Sequence, residues 1–223
     1  MKKFELTAES KINIFGKKLF RIKALISFGD VEEGETGGWI EKEENLEQSS
    51  GDAWVSGDAW VYGNARVSGD ARVSGDAEVY GNAWVSGNAR VYGNARVSGD
   101  AEVSGDAEVY GNAWVSGNAR VYGNARVYGD AEVYGDAWVS GDARVSGDAD
   151  YTTIHGFGTQ FRTTTFFQCE DKQIRVSCGC FLGTIPEFRE QVKNTREGKI
   201  AEEYLMIADL MEKHFVKEKE SGE

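Results

Sequence analysis

The sequence predicts a mainly β protein built around a parallel β-helix, a rod of stacked coils, and three observations support this fold class. From Gly51 to Thr152 the chain reads G-[DN]-A-x-V-[SY] in strict register, seventeen six-residue units without an insertion. Each unit pairs an alternating strand pattern with a turn signal. Gly occurs 28 times and Pro once among 223 residues, a composition typical of a chain with many tight corners.

Each unit is predicted to form one short strand and one corner. In Ala-x-Val-[Ser/Tyr] the small and aliphatic residues alternate with outward ones, so Ala and Val point into a core. The following Gly-[Asp/Asn] pair favours a turn, because Gly tolerates positive φ and the short polar side chain bonds the local backbone. Three units close a coil of about eighteen residues, and seventeen units give about six coils.

Because three units make one coil, side chains eighteen residues apart are predicted to stack on one face of the rod. Face 1 stacks Trp54, Arg72, Arg90, Glu108, Arg126 and Arg144. Face 2 stacks Trp60, Glu78, Arg96, Trp114, Glu132 and Asp150. Face 3 stacks Arg66, Trp84, Glu102, Arg120 and Trp138. Opposite charges and Arg–Trp neighbours recur along these faces, as in exposed cross-strand pairs.

Face 1 also carries tyrosines after the valine on three consecutive coils, here called the tyrosine ladder: Tyr92, Tyr110 and Tyr128. Tyr and Arg are favoured at interface centres, so this patch is a candidate contact surface for another subunit or a partner. A solvated ladder that only stiffens the sheet is the alternative. The predicted partner-binding residues are Tyr92, Tyr110, Tyr128, Arg90, Arg126, Trp114 and Trp138.

The corner residues show a second regularity, since the same stacking never places more than two Asp in succession. Asp52 over Asp70, for example, is followed by Asn88. Two exposed carboxylates about 4.8 Å apart repel each other, so Asn is either a relief of that repulsion or a chance choice among turn-forming residues.

The N-terminal segment, residues 1–50, is predicted to be a β cap over the open end of the rod, which would otherwise invite edge pairing. Residues 18–26 alternate like a strand. The apolar residues Trp39, Ile40 and Leu46 are expected to close the first coil of the rod, which spans residues 51–152.

The C-terminal segment, residues 153–223, is predicted to hold a β-hairpin and two helices. The hairpin joins residues 163–169 to residues 173–180. The first helix begins at Thr184, which forms a capping box with Glu187, and ends near Gly198. The apolar stripe of the second helix contains Tyr204, Ala208, Met211 and Phe215, widened by Leu205, Ile207 and Leu210.

Composition argues against several classes of function. A formal charge of −12 and a pI near 4.8 disfavour nucleic-acid binding and adhesion to anionic membranes. The sequence contains neither the apolar run of a signal peptide nor eighteen consecutive apolar residues. Three cysteines crowded into residues 169–180 do not form a disulfide framework. We therefore expect a cytoplasmic protein that binds neither nucleic acid nor membrane.

Catalytic and metal sites have little support. The chain has two histidines, of which His155 beyond the rod is the one candidate general base, with an ordinary loop residue as the alternative. His214 is expected at the surface or partly packed. The Cys178-Gly179-Cys180 spacing is not typical of zinc ligands, which favours buried free thiols on the hairpin. No metal and no cofactor are predicted.

Three blocks, FGDVEEGETGGWIEKEENL, the G-[DN]-A-x-V units and TTFFQCEDKQIRVSCGCFLGTIPEF, resemble a family of hexapeptide-repeat proteins common in prophages and bacterial genomes. The resemblance implies a left-handed coil, although parallel crossovers are otherwise right-handed. Some members are described as acyltransferases by fold analogy. By analogy with other hexapeptide β-helices, the resemblance also implies a homo-oligomer, most simply a trimer.

Three hypotheses for function follow. The first is a non-catalytic, prophage-associated rod that acts as a scaffold or binding protein through its surface and C-terminal module. The second is an acyltransferase that uses His155 at a subunit interface and acetyl-CoA as cofactor. The third is an acidic phage-encoded inhibitor or decoy of a host defence or nucleic-acid-binding protein, since the repeats hold seven Arg against fifteen Asp and Glu, a net charge of −8.

Overall fold

The computed structural model describes residues 2–215, which form a parallel β-solenoid rod closed at each end by its own flanking segment. The sixteen strands of the rod are two residues long and lie on the predicted outward residue and valine of each unit. They are β4 Trp54–Val55, β5 Trp60–Val61, β6 Arg66–Val67, β7 Arg72–Val73, β8 Glu78–Val79, β9 Trp84–Val85, β10 Arg90–Val91, β11 Arg96–Val97, β12 Glu102–Val103, β13 Glu108–Val109, β14 Trp114–Val115, β15 Arg120–Val121, β16 Arg126–Val127, β17 Glu132–Val133, β18 Trp138–Val139 and β19 Arg144–Val145.

Three parallel sheets make the three predicted faces. Face 1 has the order β4-β7-β10-β13-β16-β19, and face 3 has the order β6-β9-β12-β15-β18. The strands of face 2, β5-β8-β11-β14-β17, continue into the N-terminal cap. The register pairs each residue with the one eighteen positions later, as in Arg90 with Glu108. The stacking predicted from the period is therefore confirmed between the named strands.

The rod core consists of the alanine and valine of each unit, none more than 1% exposed from Ala53 to Val145. Neighbouring coils are joined by backbone hydrogen bonds. The amide of Arg96 donates to the carbonyl of Ala113 at 2.9 Å, and that of Ser98 to Val115 at 2.9 Å. Each coil thus satisfies its polar backbone on the next one, as buried amides and carbonyls require.

The corners need glycine for two reasons that Gly99 illustrates. Its φ is +70°, a left-handed conformation that L side chains rarely adopt. A Cβ at this position would also lie 2.9 Å from the backbone nitrogen of Gly117 on the next coil. The glycine of the repeat therefore permits both the turn and the close stacking of the coils.

The N-terminal cap contains three strands, β1 Phe4–Ile12, β2 Lys18–Ala24 and β3 Thr36–Ile40, followed by the 3-10 helix Glu43–Asn45. These three strands form an antiparallel sheet in the order β1-β2-β3. Strand β3 also pairs in parallel with β5 of the rod, so that Ile40 lies over Val61. Leu46 bridges to Val67 on face 3. Trp39, Ile40 and Leu46 are at most 2% exposed, which confirms that they close the first coil. The alternation of Phe4 and Leu6 is the signal that could have identified β1.

The C-terminal module is larger than the predicted hairpin. It contains a four-stranded antiparallel sheet of β20 Tyr151–Phe157, β21 Arg162–Gln168, β22 Ile174–Cys178 and β23 Phe181–Thr184, followed by helices α1 Ile185–Thr195 and α2 Gly198–His214. Thr184 and Glu187 form the predicted capping box. The chain begins β20 at Tyr151, within the last repeat unit.

Strand β21 couples the module to the rod, because its side chains alternate between the two cores. Phe167 and Cys169 lie in the rod core, whereas Phe166 belongs to the core of the module. The hydroxyl of Thr165 accepts a hydrogen bond from the backbone nitrogen of Trp138 at 3.0 Å. The module therefore caps its own rod.

Several predictions for this end are wrong. Asp150 does not continue the outward residues of face 2, because residues 148–150 form a 3-10 helix and its buried carboxylate accepts from the Ser146 amide at 2.9 Å. Of the cysteines only Cys169 is buried, since Cys180 lies in the turn between β22 and β23. Leu210 is 58% exposed on α2 and so does not widen its buried stripe.

Candidate binding surface

The tyrosine ladder forms on face 1 as a stack of parallel rings. The ring centroids of Tyr92 and Tyr110 are 4.9 Å apart with an interplanar angle of 1°. Those of Tyr110 and Tyr128 are 5.2 Å apart at 9°. This spacing is close to the separation of neighbouring strands, so the backbone register imposes the stack. The three rings are half-buried and leave one side accessible.

The charged residues beside the ladder join it into one network. Tyr92 donates a hydrogen bond from its hydroxyl to Glu108 Oε2 at 2.9 Å, and Glu108 Oε1 lies 3.6 Å from Arg126 Nη2. Burial, followed by the bond to Glu108, raises the pKa of Tyr92 to about 12. Burial also raises the pKa of Tyr110. The phenols of Tyr92 and Tyr110 therefore stay protonated at neutral pH and can donate hydrogen bonds.

Two of the three hydroxyls remain available for such bonds. Among residues 2–215, neither Tyr110 Oη nor Tyr128 Oη makes a recorded hydrogen bond. Arg90 and Arg126 are exposed next to them. The ladder thus presents apolar ring faces, free donors and guanidinium groups together, a combination that is favoured at interface centres.

Towards the N-terminal cap, face 1 continues into an open polar groove. Arg72 pairs there with Asp30 of the cap. The groove is lined by Asp30, Asp52, Trp54, Asp70, Arg72, Arg90 and Tyr92, among others. Because Arg90 and Tyr92 belong both to the groove and to the surroundings of the ladder, the two form a continuous surface along face 1.

The two tryptophans predicted to bind a partner lie on other faces. Trp114 is on face 2 between Arg96 and Glu132, where its indole donates to Ser98 Oγ at 3.0 Å. Trp138 is on the last strand of face 3, 5.2 Å from the guanidinium of Arg120. The seven predicted residues therefore do not form one patch: five share face 1, and each tryptophan stands apart.

A second tyrosine stack, which the sequence prediction did not single out, lies on face 2. The rings of Tyr62 and Tyr80 are 5.1 Å apart at 4°. Tyr62 is buried against Leu19 and Trp39 of the N-terminal cap. The same eighteen-residue spacing could have identified this stack, but its burial under the cap makes it a structural contact.

His155 lies on strand β20 and not in a loop. The side chain is exposed, and its Nδ1 is 3.2 Å from Thr163 Oγ1 on the neighbouring strand. This contact orients the ring but supplies no carboxylate to polarise it. His214 is also exposed and meets the ring of Phe215 edge-on at 5.1 Å.

Every corner asparagine forms a side-chain hydrogen bond to the next coil. Each of the seven donates from its side-chain nitrogen to the Asp or Asn eighteen residues later, as Asn88 does to Asp106 Oδ1 at 2.8 Å and Asn82 to Asp100 Oδ1 at 2.9 Å. In the five cases where the acceptor is Asp, an aspartate in the donor position would instead bring two carboxylates together. Relief of repulsion, with a hydrogen bond added, explains the placement better than chance does.

Residues 2–215 contain neither a cluster of metal-ligating side chains nor a membrane-spanning helix. Among these residues, no group of three or more His, Cys, Asp or Glu could hold a metal ion. The described helices are too short or too polar to cross a membrane.

Comparison with known proteins identifies the repeat. A model of the YdcK beta solenoid repeat matches seven segments, all within the rod: residues 59–75, 65–79, 71–87, 89–105, 115–129, 119–135 and 125–141. These segments cover less than half of the chain. No curated protein gives a match. Together with the stacked parallel sheets, the matches identify the chain as a β-solenoid repeat protein whose rod is similar to the YdcK repeat.

Proposed function

We propose that the chain is a non-catalytic rod that acts as a scaffold or binding protein, with the tyrosine ladder and its arginines on face 1 as the contact surface. The observation that supports this proposal is the ladder itself, in which two tyrosine hydroxyls are available beside exposed Arg90 and Arg126. Rigid aromatic rings lose little conformational freedom on binding, and arginine offers five donors.

The charge of face 1 indicates the chemistry of its partner. Its outward strand positions hold four of the seven arginines of the rod and one glutamate, whereas the rod as a whole carries a net −8. Three of these arginines already pair with carboxylates, Arg72 with Asp30, Arg126 with Glu108 and Arg144 with Glu170, so that among residues 2–215 only Arg90 of this face has no salt bridge. A partner that offers aromatic groups and a carboxylate for Arg90 would complement this face. The decoy hypothesis instead requires a basic partner, which would meet the acidic corners.

The test compares two tyrosines that occupy the same position in the repeat. Tyr110→Glu places a charge within the stack, whereas Tyr122→Glu alters face 3, where Ser104 and Ser140 are the neighbours one coil away. Pull-down from host lysate should recover a partner with the wild-type protein and with Tyr122→Glu but not with Tyr110→Glu. Equal recovery by both variants, or no protein retained by the wild type, would contradict the proposal. Recovery of a basic partner that salt releases would support the decoy hypothesis instead.

We also propose self-association as a trimer, by analogy with other hexapeptide solenoids. Multi-angle light scattering at micromolar concentration should give three times the monomer mass, and a monomer would contradict it. A cytoplasmic location agrees with the three free thiols. The prophage association is supported by the resemblance of the end blocks alone.

The acyltransferase alternative has weaker support. His155 is exposed on a strand with Thr163 as its partner, and a base in acyl transfer also needs an oriented substrate pocket. Acetyl-CoA binding by calorimetry, followed by loss of activity in His155→Ala, would be needed to revive it.

A further inference from the structure

The C-terminal module contains a small cleft between the edge of its sheet and its two helices. The cleft has a volume of about 150 Å³. Its apolar wall consists of Phe157, Phe181, Phe188 and Val192. A cavity of this size admits a molecule about as large as benzene. The space therefore suits a small apolar body and is too small for a folded partner.

The polar groups at the cleft are cationic or neutral. Arg162 and Arg196 line it, together with the hydroxyl-bearing side chain of Tyr204 and polar residues such as Gln160 and Gln191. None of the described lining residues is Asp or Glu. The chain as a whole has a formal charge of −12. A cleft lined by two arginines and by no carboxylate therefore differs in charge from the protein as a whole.

These arginines differ from the other two in the module. Arg175 pairs with Asp171 at 2.6 Å, and Arg189 pairs with Asp209 and Glu212 at 2.6 and 2.7 Å. Within residues 2–215, no salt bridge is recorded for either Arg162 or Arg196. Among the described residues, the carboxylates of the module thus pair with the guanidiniums away from the cleft, and none pairs with those at the cleft.

The local backbone allows Arg162 to take this position. Gly179, in the turn between β22 and β23, has a φ of +63°, and a Cβ there would lie 2.5 Å from Arg162 Nη1. The guanidinium therefore passes directly over the glycine. Arg162, Arg196 and Tyr204 line the same cleft. Burial raises the pKa of Tyr204, and the positive charges of Arg196 and Arg162 act in the opposite direction.

We propose that this cleft binds a carboxylate carried on a small apolar body, with the body against Phe181 and Phe188 and the carboxylate between Arg162 and Arg196. Guanidinium groups bind carboxylates through two parallel hydrogen bonds, which a neutral amide cannot match. The ligand is either a free aromatic or aliphatic acid or the C-terminal residue of a peptide. Both present the same chemistry, and the choice between them is left to experiment.

The first measurement uses the whole protein and benzoate as the probe, with uncharged benzamide as its near-isostere. Titration calorimetry or NMR at low salt should give a dissociation constant for benzoate on the order of 1 mM or tighter. Benzamide should bind about tenfold more weakly or not at all. No binding of benzoate, or equal binding of the two probes, would overturn the proposal without any variant being needed.

The second measurement assigns the site. Arg162→Gln and Arg196→Gln should each weaken benzoate binding by about tenfold. Arg66→Gln on face 3 of the rod removes the same charge from an exposed position far from the module in the sequence, and it should leave benzoate binding unchanged. Arg162→Lys retains the charge without the planar fork and should bind with intermediate affinity. Benzoate binding that all four variants leave unchanged would place the ligand elsewhere and overturn the proposal.

The third measurement identifies the source of the carboxylate. A tripeptide ending in Phe with a free carboxylate is compared with the same peptide as a C-terminal amide. Tighter binding of the free-acid peptide than of benzoate supports a peptide terminus, whereas binding of benzoate alone supports a free small acid. These results are independent of the ladder on face 1, because the Tyr110→Glu variant should bind benzoate normally.

Discussion

The rod and the C-terminal module bury their apolar side chains in opposite ways. The rod repeats one small layer, an alanine and a valine on each face of every coil, and each layer contacts only the next. The module has one core of mixed aromatic and aliphatic residues, in which Phe188 contacts the rings of Phe166, Phe181 and Tyr204. A substitution in the rod therefore affects one coil, whereas one in the module affects a whole core.

This difference also separates the two candidate functions. The regular backbone of the rod builds a surface by repetition, which produces the tyrosine ladder on three coils. The module builds a cleft by convergence of a loop, a turn and two helices. An extended interface suits the first arrangement, and a small ligand suits the second.

The largest effect is expected from Phe188→Ala. Phe188 is 3% exposed in the centre of the module, and its truncation should cost about 3–5 kcal/mol. Hydrogen exchange should then show loss of protection in residues 151–215 while the middle of the rod keeps its protection. Phe161→Ala is the control, because that ring is 64% exposed and its loss should change little. Equal loss of protection in the rod would show that the two regions unfold together.

The next effect is expected from Gly99→Ala in the rod. The positive φ and the approach of Gly117 should make the substitution cost about 1–3 kcal/mol, measured by chemical denaturation. Gly147→Ala provides the matched control, since that glycine has an extended φ of −165° and no atom lies within 4 Å of its would-be Cβ. The interpretation of the corners fails if both variants are equally stable.

A smaller effect is expected from Thr184→Ala at the start of α1. Loss of the cap should cost about 1 kcal/mol, whereas Thr195→Ala in the last turn of the same helix should cost less than about 0.5 kcal/mol. The hydrogen bonds from Thr184 hold the pKa of Glu187 below its usual value. The bond from the Thr184 hydroxyl to the Glu187 carboxylate is therefore present at neutral pH and is lost as pH falls through that lowered value, so the difference between the thermal melts of wild type and variant should shrink in acid. It should not vanish, because Thr184 Oγ1 still accepts from the Glu187 backbone nitrogen. A difference that is as large in acid as at neutral pH would argue against the Glu187 contribution.

The smallest effect is expected at the corner ladder. Asn88→Asp replaces a hydrogen bond to Asp106 with two adjacent carboxylates and should cost roughly 0.2–1 kcal/mol at neutral pH. The cost should fade below about pH 4, where carboxyl groups become neutral. Asn64→Asp is the control, and its effect on stability should have the opposite sign. Lys42 Nζ lies 3.2 Å from Asn64 Oδ1 and would form an ion pair with the new carboxylate. Equal destabilisation by both would contradict the account of the asparagines.

Much of this molecule could be predicted because its repeat has no insertion. The period of six and the coil of eighteen residues place every outward residue on a face, so Tyr92, Tyr110 and Tyr128 could be stacked before the structure was known. The closing role of Ile40 and the capping box at Thr184 were also local enough to predict. The prediction for Asp150 was wrong because residues 148–150 form a 3-10 helix although their sequence still follows the repeat pattern.

The cleft of the module could not be predicted in the same way. Arg162 begins strand β21 and Arg196 follows helix α1, and no spacing in the sequence relates them. Four-stranded pairing also brought His155 onto a strand beside Thr163, where a loop was expected. Such groups meet only through packing between elements that are distant along the chain.

The sequence alone determined the rod, its three faces and the content of each, because contacts one coil apart follow from a fixed period in the chain. The tertiary structure decided what covers the rod and what remains open. Phe167 and Cys169 close its C-terminal end, the N-terminal cap buries Tyr62, and the ladder on face 1 stays accessible. Local repetition specifies stacked neighbours, but burial of a surface depends on non-repetitive segments whose side chains must find partners far away in sequence.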